Sequence, residues 1–283
     1  MSTPEHREAP IHVHFGPGLH AAVGRPVDAS AYERYLGRWS RLFVPAVLAA
    51  AEVAGGDCVL DVATGPGEAA LSALAIVTPA GRVIGADIAP AMLTAARARL
   101  GAGVFQPVVM DGQALAFRDG SFDAVVCQLG LQFFPDPARG LTEFRRVLHA
   151  GRCAAVCVVS TPDRAPMWGV LAETLSRQLP EQRDTLHLTF ALADPERLAH
   201  LLTMAGFRDV RVQRETRQGT MASFDDYWAP IEEAVGSLPQ AYRALPASRR
   251  QAVREEVEAR LAAFESGGRL VMSIEMLIGA GRA

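Results

Sequence analysis

The chain has 283 residues, of which 49% are hydrophobic and 21% charged, with a formal net charge of −3. That apolar share is too high for a disordered chain, and the length suits one large domain or a domain carrying a lid. The slight acidity argues against non-specific nucleic-acid binding, which draws on a basic surface.

No run approaches the roughly 18 unbroken apolar residues of a membrane span, and the N-terminus shows no basic-then-apolar signal, so a cytoplasmic protein without membrane insertion is expected. All 28 basic residues are arginine. The missing lysine excludes a P-loop lysine, a Schiff base and a Tyr-x-x-x-Lys catalytic pair. Cys58, Cys127, Cys153 and Cys157 all fall in apolar, strand-like runs and read as buried free thiols. Cys153-x-x-x-Cys157 lacks zinc-ligand spacing, and no metal site is expected.

Residues 1 to about 27 are rich in Pro, Gly and His without periodicity and are expected to form an irregular arm. "DASAYERYLGRWSRLFVPAVLAAAEV" opens with an N-cap pattern, Asp28 or Ser30 ahead of Glu33, and predicts helices. The pattern then alternates. Strands are predicted over 58–62, 82–87, 104–110, 122–128 and 153–160, with helices over 68–76, 90–100 and 137–148 between them. Two-sided apolar strands alternating with helices imply a parallel sheet covered on both faces. Beyond Ser160, helices are predicted over 167–178 and 195–205, a strand over 206–216, helices through 218–267, and a closing strand over 270–279. The last two strands are a candidate antiparallel pair.

The turn "DVATGPGEAA", Asp61 to Ala70, sits between the first strand and the first helix of this series. Gly65-x-Gly67-x-x-Ala70, with Asp87 downstream, satisfies a relaxed dinucleotide fingerprint, yet the turn also suits the methionine end of S-adenosylmethionine (SAM). Asp61, Asp87 and Asp111 follow three successive strands, and ligands of open parallel sheets bind at such strand ends. Asp61 would repel a pyrophosphate and attract the ammonium of a methionine. Asp87 suits a ribose in either ligand, and Asp111-Gly112-Gln113 suits the exocyclic amine of adenine. Each charge-assisted hydrogen bond of this kind contributes ~1.5–3 kcal/mol. The methionine reading is favoured.

"VLDVATGPGEAALSAL", "VIGADIAPAML", "MDGQALAFRDGSFDAVVCQLGLQFFPD" and "EFRRVLHAGRCAAVCV" occur in that order, and together they resemble the class I SAM-dependent methyltransferases of the ubiquinone/menaquinone-type small-molecule group. The likeness runs from about Tyr32 to Ser160 and more weakly through "LLTMAGFRDVRV" to the C-terminus. It implies a Rossmann-like α/β fold, a seven-stranded, mostly parallel sheet in the order 3-2-1-4-5-7-6 with strand 7 antiparallel. The core would span about 42–161, 195–217 and 268–283 of a single domain, with an N-terminal arm and helices over 1–41 and a helical lid over 162–194 and 218–267. It also implies that Asp61, Ala63, Gly65 and Gly67 surround the methionine and sugar, and that Asp87, Ile88 and Met92 take the ribose and one adenine face. Asp111, Gly112 and Gln113 would meet the adenine edge. Gln128, Leu129 and Gly130, with Phe133, would lie beside the sulfonium, and Tyr32, Tyr35 and Trp39 would fold over the cofactor. Two departures stand out: Ala63 replaces the usual second glycine, and Gln132-Phe133-Phe134 stands where relatives often carry histidines before "PD".

Methyl transfer is an in-line displacement that a general base assists when the nucleophile is a hydroxyl. His187, in "RDTLHLTFAL", is the best-placed histidine; its alternative is a polar lid residue. His149 and His200, near helix C-termini, read as structural. His12-x-His14 lacks a third metal ligand, and His6 and His20 are as readily solvated. Glu232-Glu233 reads as a solvated helix face rather than a catalytic pair, as do Arg249, Arg250 and Arg254. Trp168, Phe190, Met221, Tyr227 and Trp228 are either a pocket for an aromatic or isoprenoid-like acceptor or ordinary lid packing, and both readings stay open. The expected function is methyl transfer from SAM to an O, N or C atom of a small, hydrophobic or aromatic metabolite. Two alternatives are a SAM-binding relative with a cyclase or scaffold role and, more distantly, an NAD(P)-dependent oxidoreductase. Monomer and homodimer are both compatible with the sequence.

Overall fold

The computed structural model describes residues 33–101, 105–233 and 236–283. Tyr32, the arm, the Asp28 or Ser30 cap, His6, His12, His14 and His20, and Val104, the expected start of the third strand, lie outside the described residues.

Helical turns over Glu33–Gly37 and Arg38–Ser40 lead into α1 (Val44–Ala50). Strands β1 (Cys58–Val62), β2 (Arg82–Asp87), β3 (Phe105–Val109), β4 (Phe122–Gln128) and β5 (Leu148–Val159) alternate with α2 (Glu68–Val77), α3 (Pro90–Leu100) and α4 (Pro137–Val147). α3 and α4 start with proline at the first turn, where its missing N–H costs no bond. Asp136 caps α4 by accepting from the Arg139 amide at 3.0 Å. After α5 (Pro166–Gln178) and α6 (Pro195–Met204), β6 (Arg208–Met221) runs five residues past the expected strand end at Thr216. Helices α7 (Phe224–Glu232), α8 (Ser237–Ala244) and α9 (Ala247–Leu261) precede β7 (Glu265–Ser266) and β8 (Arg269–Arg282).

The sheet order is β3-β2-β1-β4-β5-β8-β6, and β8 runs antiparallel to both β5 and β6. This is the predicted order, with one addition. The two-residue β7 pairs with the start of β8, so the sheet has eight strands and the antiparallel strand is the eighth in chain order. β6 enters the segment expected to be wholly helical because its twelve-position register with β8 continues to Met221–Leu270. Arg208, Arg211, Arg214, Glu215 and Arg217 line β6, as suits an outer strand that must not pair further.

Successive residues of each central strand face opposite layers. Val59, Val126 and Cys157 join α1, α2 and the lid helices on one side, and Leu60, Val125 and Val156 join α4 and α6 on the other. The lid is stitched to itself. The Tyr227 hydroxyl donates to the Met167 carbonyl at 2.9 Å, Thr174 donates to Glu256 at 3.1 Å, and Arg260 pairs with Glu173. The N-terminal helical segment is tied to α7 by Arg38, whose Nη1 lies 3.1 Å from both Asp226 carboxylate oxygens. Among the described residues, no helix is long and apolar enough to cross a membrane.

Candidate functional site

Strand order reverses between β1 and β4, which opens a crevice at the carboxyl ends of these strands. Two non-glycine residues with positive φ face this reversal, Ala63 after β1 (56°) and Leu129 after β4 (57°). Such a conformation costs roughly 1–2 kcal/mol for a residue with a Cβ. It is held in place here: the Leu129 amide donates to the Cys157 carbonyl at 2.9 Å, and the Thr64 amide donates to the Ala86 carbonyl at 3.1 Å. A Cβ on Gly130 would overlap that of Ala63, so the ends of β1 and β4 touch through atoms too small to separate.

Gly65 (φ 55°) and Gly67 (φ 87°) supply the left-handed backbone that turns β1 into α2. Asp61 is fully buried at the end of β1. Its Oδ2 accepts from the Thr64 hydroxyl at 2.6 Å, whereas its Oδ1 has no partner among the described residues. Burial pushes its carboxyl up to about 7; the Thr64 hydrogen bond and the nearby Ala70 amide oppose this, and neighbouring Asp87 adds to it. Asp87 fastens the loop, accepting from the Gly65 amide at 2.8 Å and from the Ala89 amide at 2.9 Å. Burial raises its carboxyl as well, against the lowering by those amides.

At the third strand end, Asp111 Oδ1 accepts from the Gln113 amide at 2.8 Å and from Gln113 Nε2 at 3.2 Å. Gln113 Oε1 in turn accepts from the Asp136 amide at 2.8 Å. Gln113 therefore orients Asp111 and anchors the start of α4. The Cβ position of Gly112 is filled by Phe134 and Val62. Ile88 and Met92 are half-buried beside Asp87, as is Phe133 beyond β4. Gln128 Nε2 donates to the Ser40 carbonyl at 3.1 Å, joining β4 to the N-terminal segment, and its Oε1 is buried without a partner among the described residues.

Trp39 is buried against Gly219 and Ile274 of the β6–β8 extension, with the Arg38 guanidinium 4.7 Å above its ring. Tyr35 packs beside Gly236, and burial raises its phenol. The five proposed pocket residues, Trp168, Phe190, Met221, Tyr227 and Trp228, are buried in one apolar cluster. Tyr227 and Trp228 spend their polar atoms on Met167 and Glu232, while Trp168 Nε1 has no partner among the described residues. Glu232 differs from the sequence expectation. Instead of lying on a solvated face, its Oε1 accepts from Trp228 at 2.9 Å and from Tyr242 at 2.6 Å, because α8 folds back on α7. His187 ends the short helix Arg183–Leu186, and its Nε2 is buried and unpartnered among the described residues. Burial and the Arg183 charge lower its imidazole below the ordinary value. His149 is exposed near the start of β5, two residues past the end of α4 at Val147. All four cysteines are free, and burial pushes the Cys127 thiol beside Gly130 up to about 12.

Some residues of the site were not singled out in the sequence. Thr64 satisfies half of Asp61. Glu68, the first residue of α2, pairs with Arg99, which also lies 3.8 Å from Glu33 and so links the N-terminal segment to the glycine turn. Gln132 is buried with Oε1 unpartnered among the described residues, and its only sequence signal is the departure at "QFF".

A buried carboxylate with one oxygen unpartnered among the described residues, set at the end of the strand that leads into the glycine turn, suits an ammonium and opposes a phosphate. That feature, on a sheet reversed between β1 and β4 and closed by an antiparallel strand, defines the class I SAM-dependent methyltransferases. Comparison with known proteins agrees. The sequence profile described as "Methyltransferase domain" matches residues 60–155, from β1 into β5. Demethylmenaquinone methyltransferase of Thermus thermophilus is 33% identical over 183 residues, covering 60% of this chain and 81% of that one. Its counterpart from Deinococcus radiodurans is 32% identical over 164 residues, 53% of this chain and 67% of the relative. Phosphoethanolamine N-methyltransferase 2 of Haemonchus contortus, solved with S-adenosyl-L-methionine, shares the fold with a TM-score of 0.60 at 17% identity, over 93% of this chain and 59% of that one. The chain belongs to the ubiquinone/menaquinone type of class I SAM-dependent methyltransferases, and SAM is its cofactor.

Proposed function

We propose that this methyltransferase acts on a small hydrophobic or aromatic metabolite, methylating an O, N or C atom. The observation that carries the reading is the lid: α5, packed on β8, and α7, packed on β6, bring Trp168, Tyr227 and Trp228 into one apolar cluster with Phe190 and Met221. The name of the bacterial relatives, demethylmenaquinone methyltransferase, supports the same class of acceptor.

On this reading Asp61 and the Gly65–Gly67 turn hold the amino acid end of the cofactor, Asp87 the ribose and Asp111 the adenine amine. Bound SAM supplies an electrophilic methyl group on a sulfonium. The chain's contribution is alignment and exclusion of water, and placing a nucleophile at about 3–3.5 Å is worth up to ~7–11 kcal/mol. His187, kept neutral by burial and Arg183, is the proposed base for a hydroxyl nucleophile.

Purified protein incubated with methyl-labelled SAM and a panel of hydroxylated aromatics and quinols tests the reading by mass spectrometry. One methyl gained by a panel member is the expected result. Tight SAM binding with an unmethylated, rearranged product would establish the cyclase alternative instead.

A further inference from the structure

Two short helical turns, Leu131–Phe133 and Leu188–Phe190, pack against one another next to β5. The first follows Gly130, whose backbone abuts Ala63 of the cofactor turn. The second follows His187, whose ring lies 5.9 Å from that of Phe190. Each brings one buried polar atom with no partner among the described residues, Gln132 Oε1 and His187 Nε2. Gln132 is only 3% exposed. A buried amide oxygen left bare loses its hydration without replacement, and such atoms in folded proteins normally meet a partner.

We propose that Gln132 and His187 together bind a hydroxyl or N–H group of the methyl acceptor, making Gln132 a specificity residue of the reaction. This rests on the acceptor reading above. A side-chain amide oxygen only accepts hydrogen bonds, so the group facing it must donate. Because one O–H proton cannot serve two acceptors, the neutral imidazole completes the grip as the tautomer that donates from Nε2 to the same oxygen, and it acts as a base only in the other tautomer. An acceptor lacking a donor, such as one already converted to a methyl ether, leaves Gln132 unsatisfied. Where the nucleophile is that hydroxyl, the site then favours the unmethylated compound over its ether product, which assists release.

The test uses the full chain saturated with S-adenosylhomocysteine and two probes, 2-naphthol and 2-methoxynaphthalene, titrated by fluorescence. The naphthol should bind about tenfold tighter than the ether, the difference one buried hydrogen bond makes. In Gln132→Leu the two should become equal while S-adenosylhomocysteine affinity is kept, and His187→Phe should narrow the preference independently. Equal binding of the two probes to the unmodified chain overturns the proposal and leaves the apolar acceptor pocket standing. A preference that survives in both variants also overturns it. If neither probe binds, the proposal and the aromatic-acceptor reading fail together, whereas retained S-adenosylhomocysteine binding would keep the cofactor site intact.

Discussion

Gly65 donates its backbone N–H to Asp87 Oδ2 at 2.8 Å, so the carboxylate at the end of β2 fixes the glycine turn at the end of β1. Its other oxygen accepts from Ala89, which sets the entry to α3. Each oxygen retains a second lone-pair direction for a ribose hydroxyl. On the proposed site, Asp87→Ala therefore removes the ribose anchor and loosens the turn at once. The expected loss of SAM affinity is about 100-fold, two charge-assisted hydrogen bonds' worth, measured by calorimetry. Near-normal binding would show that the ribose lies elsewhere.

On the proposed site, Asp61 should make SAM binding pH-dependent. Its carboxyl is raised by burial to about 7 in the folded chain, above the unfolded value near 3.9. Between those values the folded state holds a proton that the unfolded state has lost, so Asp61 makes the ligand-free protein less stable as pH rises from about 4 to 7. An ammonium beside Oδ1 favours the ionised form and expels the proton. Titrations at pH 6.5 in buffers of different ionisation heat should show proton release on SAM binding. Asp61→Asn should abolish the release and flatten the stability profile over the same range; release unchanged in Asp61→Asn would place the titrating group elsewhere.

If His187 is the proposed base, it should bear on turnover rather than on cofactor affinity. Its imidazole titrates below the ordinary 6.5 because the charged form is penalised by burial and by Arg183. The rate with a hydroxyl acceptor should fall only below that pH, on a limb that His187→Asn removes. Turnover should drop by ~10²-fold or more, as for loss of a general base, with SAM affinity within about twofold of the original. A rate and pH profile untouched by the substitution would leave His187 as a lid residue.

Gly130→Ala should damage the site without adding any polar group. The new Cβ has nowhere to go except into Ala63, whose own position is fixed by the strained turn after β1. Overpacking of this kind costs typically 1–3 kcal/mol. The melting temperature should fall and SAM affinity should weaken together; a variant with both intact would mean that the ends of β1 and β4 are free to part.

The contact between α7 and the N-terminal helical segment is the remaining case. Arg38 forms a two-oxygen pair with Asp226 and also donates to its carbonyl at 3.1 Å, with both side chains partly exposed. Arg38→Met should cost no more than ~1 kcal/mol overall, because such pairs are screened by solvent. Hydrogen exchange across α7 should nevertheless accelerate, since this is a direct bond between the N-terminal segment and the lid. Unchanged exchange would assign the docking of α7 to its aromatic cluster alone.

The strand and helix series from Cys58 to Val159 was legible because each strand is apolar on both faces and each helix starts at Pro or Gly. The three aspartates were legible because a strand end is a place in the sequence as well as in space. Beyond that the local signals thinned. Nothing in "TRQGTM" marks β6 as continuing to Met221, because that strand is held by pairing with β8, which arrives about fifty residues later. The role of Glu232 was likewise hidden, since Trp228 is its own helical neighbour but Tyr242 meets it only after the chain turns back.

By itself the sequence determined the alternation of elements, the glycine turn and the acidic residues at the ends of the first three strands, all of which depend on neighbours a few positions apart. Tertiary structure alone decided which polar atoms were left without a partner among the described residues. Asp61 Oδ1, Gln132 Oε1, Trp168 Nε1 and His187 Nε2 come from four separate segments, and whether each finds a partner depends on atoms brought near it by packing across the whole chain. A residue type states what a side chain is able to bond; only its surroundings fix what remains for a ligand.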